Sequence, residues 1–220
     1  MRLHEARKDL YRRLAKEQGY KSRAAFKLIE ANERYHFIDE GDTVVDFGAA
    51  PGGWLQVAAR IVEPSGKAVG VDLHEIHLKE RNAVAVAMDV NDEKVVARVL
   101  SIIGRKADVV LSDLAPSVSG VWELDQTIQV DLTLRVLALC ESLLKQGGSA
   151  FLKLFEGERS PEVRTEMKRR FKTVHAVKPA ASRSASSELY YYCAGWHGVG
   201  NAVEGQPRSE ARLTASSTSA

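Results

Sequence analysis

Cysteine is almost missing from this chain: 220 residues hold only Cys140 and Cys193. That scarcity excludes a disulfide-built scaffold. Both thiols sit in apolar or aromatic surroundings (LALCESLL, YYYCAGW), so buried, inert thiols of a reducing compartment are expected. No stretch approaches the roughly 20 apolar residues that span a bilayer. The opening MRLHEARKDLYRRL lacks the apolar core of a secretory leader, which points to a cytoplasmic protein. No repeat is visible, and 45% apolar content is ordinary for one globular domain with short extensions. Net charge is only +2.

That small sum hides an asymmetry. Residues 1–27 carry nine Lys/Arg (Arg2, Arg7, Lys8, Arg12, Arg13, Lys16, Lys21, Arg23, Lys27) against three acids. A second basic run, KRRFK, covers 168–172. Charge runs are usually solvated faces, but two on a near-neutral chain point toward a polyanion partner.

Residues 5–34 have helical spacing with a break at Gly19, and from 43 the pattern alternates. Strands are expected at 43–48, 67–72, 83–89, 107–113, 149–155, 173–179 and 188–196. Helices are expected at 54–62, 91–103, 125–146 and 160–171. Asn91/Asp92 and Ser160 read as N-caps, and Gly147-Gly148 as the stop of the long helix. The near-continuous apolar strands predict an α/β fold with a mostly parallel seven-stranded sheet covered by helices on both faces. The last two strands, with no helix between them, should pair antiparallel at the sheet edge. Residues 1–35 read as a basic helical segment and 36–197 as the main domain. Residues 198–220, small and polar, read as a disordered tail.

The stretch VVDFGAAPGGW (44–54) is the most informative. A strand stops near a carboxylate, Asp46, and a loop with almost no side chains follows. Gly48, Gly52 and Gly53 allow close backbone approach, and Trp54 opens a helix. The loop has no Gly-Lys-Ser/Thr ending, so no lysine reaches a phosphate. Its Gly-x-x-x-Gly-Gly spacing is not the Gly-x-Gly-x-x-Gly of dinucleotide sites. A loop for S-adenosylmethionine remains, because that ligand carries cationic and hydroxyl groups that suit acids. The next strands also end in acids: Asp72, Asp89 beside Met88, and Asp113. Asp72 is placed for ribose hydroxyls and Asp89 for the adenine amino group. The fourth strand ends in SDLAP rather than the Asn/Asp-Pro-Pro-aromatic stretch of enzymes that methylate planar amines. A flat amine is therefore not the expected acceptor.

YKSRAAFKLIE (20–30), VVDFGAAPGGW (44–54), SDLAPSVSG (112–120), FLKLFEGE (151–158) and SRSASSELYYY (182–192) occur together in this order. On these blocks the chain resembles the FtsJ/RrmJ family of RNA ribose 2′-O-methyltransferases over roughly residues 10–196. The resemblance implies a Rossmann-like class I methyltransferase fold and S-adenosylmethionine as cofactor. It implies a catalytic tetrad of Lys27, Asp113, Lys153 and Glu188. It also implies cofactor contacts at Gly52, Trp54, Asp72, Asp89 and Asp113. The compact form is most similar to the branch acting on a uridine of large-subunit ribosomal RNA. A tRNA anticodon-loop nucleotide and a ribosome-assembly factor acting by RNA binding are the alternatives. A monomer with no obligate protein partner is expected.

Two readings of Lys153 stand side by side. It is either the base that takes the 2′-hydroxyl proton, with Lys27 disfavouring its charge, or a charged group that orients the hydroxyl. No metal site is expected: His74 and His77 (HEIH) have no third ligand in an obvious place. The Tyr190–Tyr192 run is expected to pack the edge of the sheet.

Overall fold

The computed structural model describes residues 3–117, 119–182 and 187–199. The tail expectation thus falls almost wholly outside the described residues. Two helices, α1 (Leu3–Glu17) and α2 (Ala25–Tyr35), precede the sheet. Then come β1 (Thr43–Phe47), α3 (Gly53–Val62), β2 (Lys67–Asp72), β3 (Ala83–Ala87), α4 (Val95–Ile103) and β4 (Ala107–Ser112). The chain continues with α5 (Trp122–Leu143), β5 (Leu144–Phe155), α6 (Ser160–Arg170), β6 (Phe171–Val177) and β7 (Glu188–Trp196).

The seven strands lie in the order β3-β2-β1-β4-β5-β7-β6. Central β1 and β4 are buried along their whole length, as strands covered on both faces must be. Helices α4, α5 and α6 supply Val95, Val99, Leu137 and Met167 to the core on one face. Helices α2 and α3 supply Leu28, Trp54 and Leu55 to the core on the other. The predicted α/β architecture is therefore present. Strand order reverses between β1 and β4, so a crevice opens at their carboxyl ends.

Four local expectations are corrected. The last two strands do pair antiparallel, but β7 inserts between β5 and β6 and is antiparallel to both. Its residues Tyr190, Tyr191, Cys193 and Trp196 are buried, whereas β6 exposes Lys172, Thr173, His175 and Ala176. The more polar strand takes the edge, where its open side meets water. The Tyr run is consequently an interior feature.

Gly147 and Gly148 do not stop α5, which ends at Leu143. They form an irregularity inside β5, where pairing with β4 jumps from Ala107↔Leu144 to Val109↔Ser149. Gly147 has φ +76°, and a Cβ on Gly148 would lie 2.9 Å from the Asp108 carbonyl. Lys145, in the same irregularity, pairs with the buried Asp108 carboxylate. Asp108 also receives Arg105 at 2.6 Å and the Thr43 amide at 2.7 Å.

Asn91 and Asp92 do not cap α4, which starts at Val95. The Asp92 and Asp89 carboxylates instead accept the Lys94 and Asn91 amides, each at 2.8 Å. Local side-chain turns outcompete the helix here. Ser160 is the first helical residue of α6 rather than its cap, and its hydroxyl donates back to the Gly157 carbonyl at 2.8 Å. Cys140 and Cys193 are free and buried, and burial pushes both thiols up. No helix among the described residues is long and apolar enough to cross a membrane.

Candidate active site

Five side chains from four separate parts of the chain form one hydrogen-bonded line. Lys27 Nζ donates to Glu188 Oε1 at 2.9 Å and to the Tyr190 hydroxyl at 2.7 Å. That hydroxyl donates to Asp113 Oδ1 at 2.7 Å. Lys153 Nζ donates to the same oxygen at 3.0 Å and to the Asp113 carbonyl at 2.9 Å. Both lysines are only 6% exposed. Buried polar groups persist when they are paired, and here two lysines face two carboxylates.

Each member is placed by its element. Lys27 lies on the buried face of α2 with Leu28 and Ala31. Trp54 fixes that helix: its indole N–H donates to the Ala24 carbonyl at 2.7 Å, and its ring packs on Phe151 and Tyr190. Asp113 follows the last residue of β4, where its amide donates to Phe47 O at 3.1 Å. Lys153 is on β5, and its carbonyl accepts from Thr133 Oγ1 at 3.0 Å and Gln129 Nε2 at 3.2 Å. Glu188 and Tyr190 are alternate residues of β7 and therefore share a face.

The electrostatics follow from the pairing. Burial pushes the Asp113 carboxyl up, but Lys153, Lys27 and the Tyr190 hydroxyl outweigh it, and its pKa lies below the ordinary value. Burial also raises Glu188, and Lys27 overcomes it, so Glu188 too is lowered. Burial, Asp113 and Glu188 push the Tyr190 phenol well up. Tyr190 is thus a neutral bridge between two ionised groups.

Asp113 also lines a cleft of about 430 Å³ at the carboxyl ends of β1, β2 and β4. Of the residues singled out in the sequence, Gly48, Asp72, Met88 and Asp89 line it as well. Ala50 and Leu114, which belong to the two quoted loop motifs, and His74, Asn91 and Leu132, which the sequence does not assign to a ligand site, are further walls. Asp72 is already engaged by the loops: Oδ2 accepts the Ala50 amide at 3.0 Å and Oδ1 the His74 amide at 2.9 Å. At Gly48, φ is +78° and a Cβ would lie 2.7 Å from Leu114 N, so the two loops meet there without a side chain.

Gly52, Gly53, Trp54 and Asp46 do not line this cleft. A Cβ on Gly52 would meet Ile76 at 2.9 Å and Lys21 at 3.0 Å, and one on Gly53 would meet Ser22 Oγ at 2.4 Å. These glycines admit the 20–25 segment, which the Gln56 side chain also holds through the Lys21 amide at 2.8 Å. The loop therefore faces the cleft with its first half and carries the N-terminal segment on its second. Asp46 is fully buried, and neither carboxyl oxygen has a hydrogen-bond partner among the described residues. Burial, then Asp113 and Asp72, pushes its carboxyl well above the usual range.

Sequence reasoning missed Tyr190, Gln129 and Thr133. Only Tyr190 left a signal, its spacing of two from Glu188 on a strand. His74 and His77 are not on a helix, and no cluster of three metal-binding side chains occurs among the described residues.

Residues 20–196 match the family model of the FtsJ-like methyltransferases. The "Ribosomal RNA large subunit methyltransferase E" of Nitrosopumilus maritimus is 43% identical over 90% of this chain and 100% of its own. The protein of the same name from Methanothrix thermoacetophila is 44% identical over 83% of this chain and 71% of its own. A crystal structure from Plasmodium falciparum, provisionally named a ribosomal RNA methyltransferase, superposes with a TM-score of 0.72 at 28% identity. It covers 80% of this chain and 98% of its own. Aeropyrum pernix fibrillarin in complex with S-adenosyl-L-methionine shares the fold alone, at 14% identity and a TM-score of 0.55 over 79% of this chain and 75% of its own. The chain belongs to the FtsJ-like methyltransferase family.

Proposed function

We propose that this protein transfers a methyl group from S-adenosylmethionine to a ribose 2′-hydroxyl of large-subunit ribosomal RNA. The observation that carries the reading is the Glu188–Lys27–Tyr190–Asp113–Lys153 line, whose Asp113 also forms a wall of the cleft. Relatives matched over most of both chains bear a large-subunit ribosomal RNA methyltransferase name, which supports the choice of RNA.

The cleft residues fit the cofactor. Asp72 and Asp89 would accept from its hydroxyl and amino groups, Met88 and Leu132 would flank an apolar ring, and Asp113 would face its cationic part, with the unpartnered Asp46 carboxyl buried beside it. When bound, it supplies an electrophilic methyl on a sulfonium that departs as a neutral thioether.

Lys153 is the group for the acceptor hydroxyl. Asp113 takes two of the three positions around Nζ. In the neutral amine the third position is a lone pair that can receive the hydroxyl proton. In the ammonium it is an N–H that can hold the developing alkoxide. Lys27 and Tyr190 fix the Asp113 carboxylate, so Lys153 does not reorganise during reaction. Holding the hydroxyl in line supplies much of the remaining rate.

The N-terminal segment is the proposed seat of the RNA backbone. Arg12, Lys16, Lys21 and Arg23 surround one concavity of about 450 Å³, and cations at that spacing suit phosphates. The run 168–172 fits this role less well. It lies at the opposite, amino end of the sheet, and Arg170 pairs with Glu141 and Glu166. A monomer acting in the cytoplasm completes the reading.

Lys153→Ala tests it. Methyl transfer should fall to background while affinity for the RNA changes by less than about threefold. Equal loss of RNA binding would remove Lys153 from the chemistry.

A further inference from the structure

The amino-terminal end of α5 exposes apolar side chains beside the transfer centre. Val121, Trp122, Leu124 and Ile128 are between 37% and 54% exposed. The Trp122 ring stacks on Phe155, with centroids 5.8 Å apart and 23° between planes. Phe155 follows Lys153 by two residues on β5, on the same face of the strand. Lys153 Nζ lies 5.9 Å from the Phe155 ring centroid. An aromatic stack thus begins where the acceptor hydroxyl must sit, and its outer ring is open to solvent.

Building on RNA as the acceptor, we propose that Trp122, backed by Phe155, is a stacking platform for an unpaired nucleobase of the substrate, at or next to the methylated nucleotide. Three observations select a base. The platform is continuous with Lys153, within one nucleotide's reach. The exposed Glu123 in the same turn disfavours phosphate there, while the cations that suit phosphate surround the separate concavity at Arg12–Arg23. A flat, uncharged face is what an aromatic ring accepts, and RNA recognition uses such rings on unstacked bases.

The chain has three tryptophans, and Trp54 and Trp196 are 3% exposed, so Trp122 is the accessible fluorophore. The test combines emission with kinetics on protein-free large-subunit ribosomal RNA and on assembled, unmodified subunits. Substrate RNA should quench wild-type emission, and Trp122→Phe should lose the quench. Trp122→Ala should raise KM for protein-free RNA roughly 5- to 100-fold. S-adenosylmethionine affinity should be unchanged, and Trp122→Phe should recover most of the loss. An unchanged KM with both substrates overturns the platform. So does a defect seen only with assembled subunits, which would assign the patch to a protein of the particle. A fall in S-adenosylmethionine affinity or melting temperature equal to the kinetic loss overturns it as well, by showing a structural role. If the wild-type protein transfers no methyl to any RNA, the functional reading itself fails, a result distinct from these.

Discussion

Removing one oxygen atom tests whether the buried line acts as a unit. Tyr190→Phe deletes the hydroxyl that accepts from Lys27 and donates to Asp113, both at 2.7 Å. The ring should stay in place, because it is buried against Phe151 and Trp54 at centroid distances of 5.2 and 5.7 Å. Hydrogen bonds to charged groups are worth about 1.5–3 kcal/mol each. Neither partner is orphaned, since Lys27 keeps Glu188 and Asp113 keeps Lys153. The expected loss is therefore at the lower end, about 3–4 kcal/mol for the pair of bonds. At this chain length that is a fall of roughly 5–10 °C in melting temperature. Denaturant unfolding with an unchanged slope measures it. The pH dependence has a fixed sign. The Asp113 pKa is lowered partly by this hydroxyl, so the stability it lends is present above the unfolded carboxyl pKa and lost as pH falls through the folded value. The gap between wild type and variant should thus be widest at neutral pH and narrow in acid. A kcat loss of roughly tenfold or more should accompany it, because Lys27 and Asp113 are no longer fixed to each other. Equal stability and equal kcat across this range would refute the bridging role.

Three further outcomes are expected. Gly48→Ala should weaken S-adenosylmethionine binding by at least about tenfold in calorimetry, because its Cβ would press on Leu114 at a φ of +78°. Trp54→Phe should cost about 1 kcal/mol through the lost bond to Ala24 O, and should lower kcat through Lys27 while leaving cofactor affinity nearly intact. Asp46→Asn should raise the melting temperature of the cofactor-free protein. The wild-type carboxyl, raised in the folded state, costs stability increasingly as pH climbs past its unfolded value. The stability gain should therefore vanish below about pH 4, and a gain that persists there would contradict this origin.

The fold was legible because its signals are local. Valine-rich runs such as TVVDF and ADVVLS can only be covered strands, and their alternation with helical periods determines the layers. The misreadings arose where a residue type serves two purposes. Gly147-Gly148 has the composition of a helix stop and is used as a strand irregularity that brings Lys145 to Asp108. Gly52-Gly53, read as part of a ligand loop, also leaves room for Lys21 and Ser22. No local pattern tells which neighbour needs the space. The insertion of β7 between β5 and β6 is a tertiary choice, made by the burial of Tyr190 and Trp196 against the polarity of β6. That choice carries Tyr190 into the charged line, so the same misreading that placed the Tyr run at the edge hid its role.

The most direct measurement is transfer of a labelled methyl group from S-adenosylmethionine to unmodified large subunits, free ribosomal RNA and tRNA, followed by nuclease digestion. Label on a ribose 2′-oxygen of large-subunit RNA, absent with Lys153→Ala, is the predicted result. Label on a base, or undiminished transfer by the Lys153 variant, would contradict the proposed chemistry of the site.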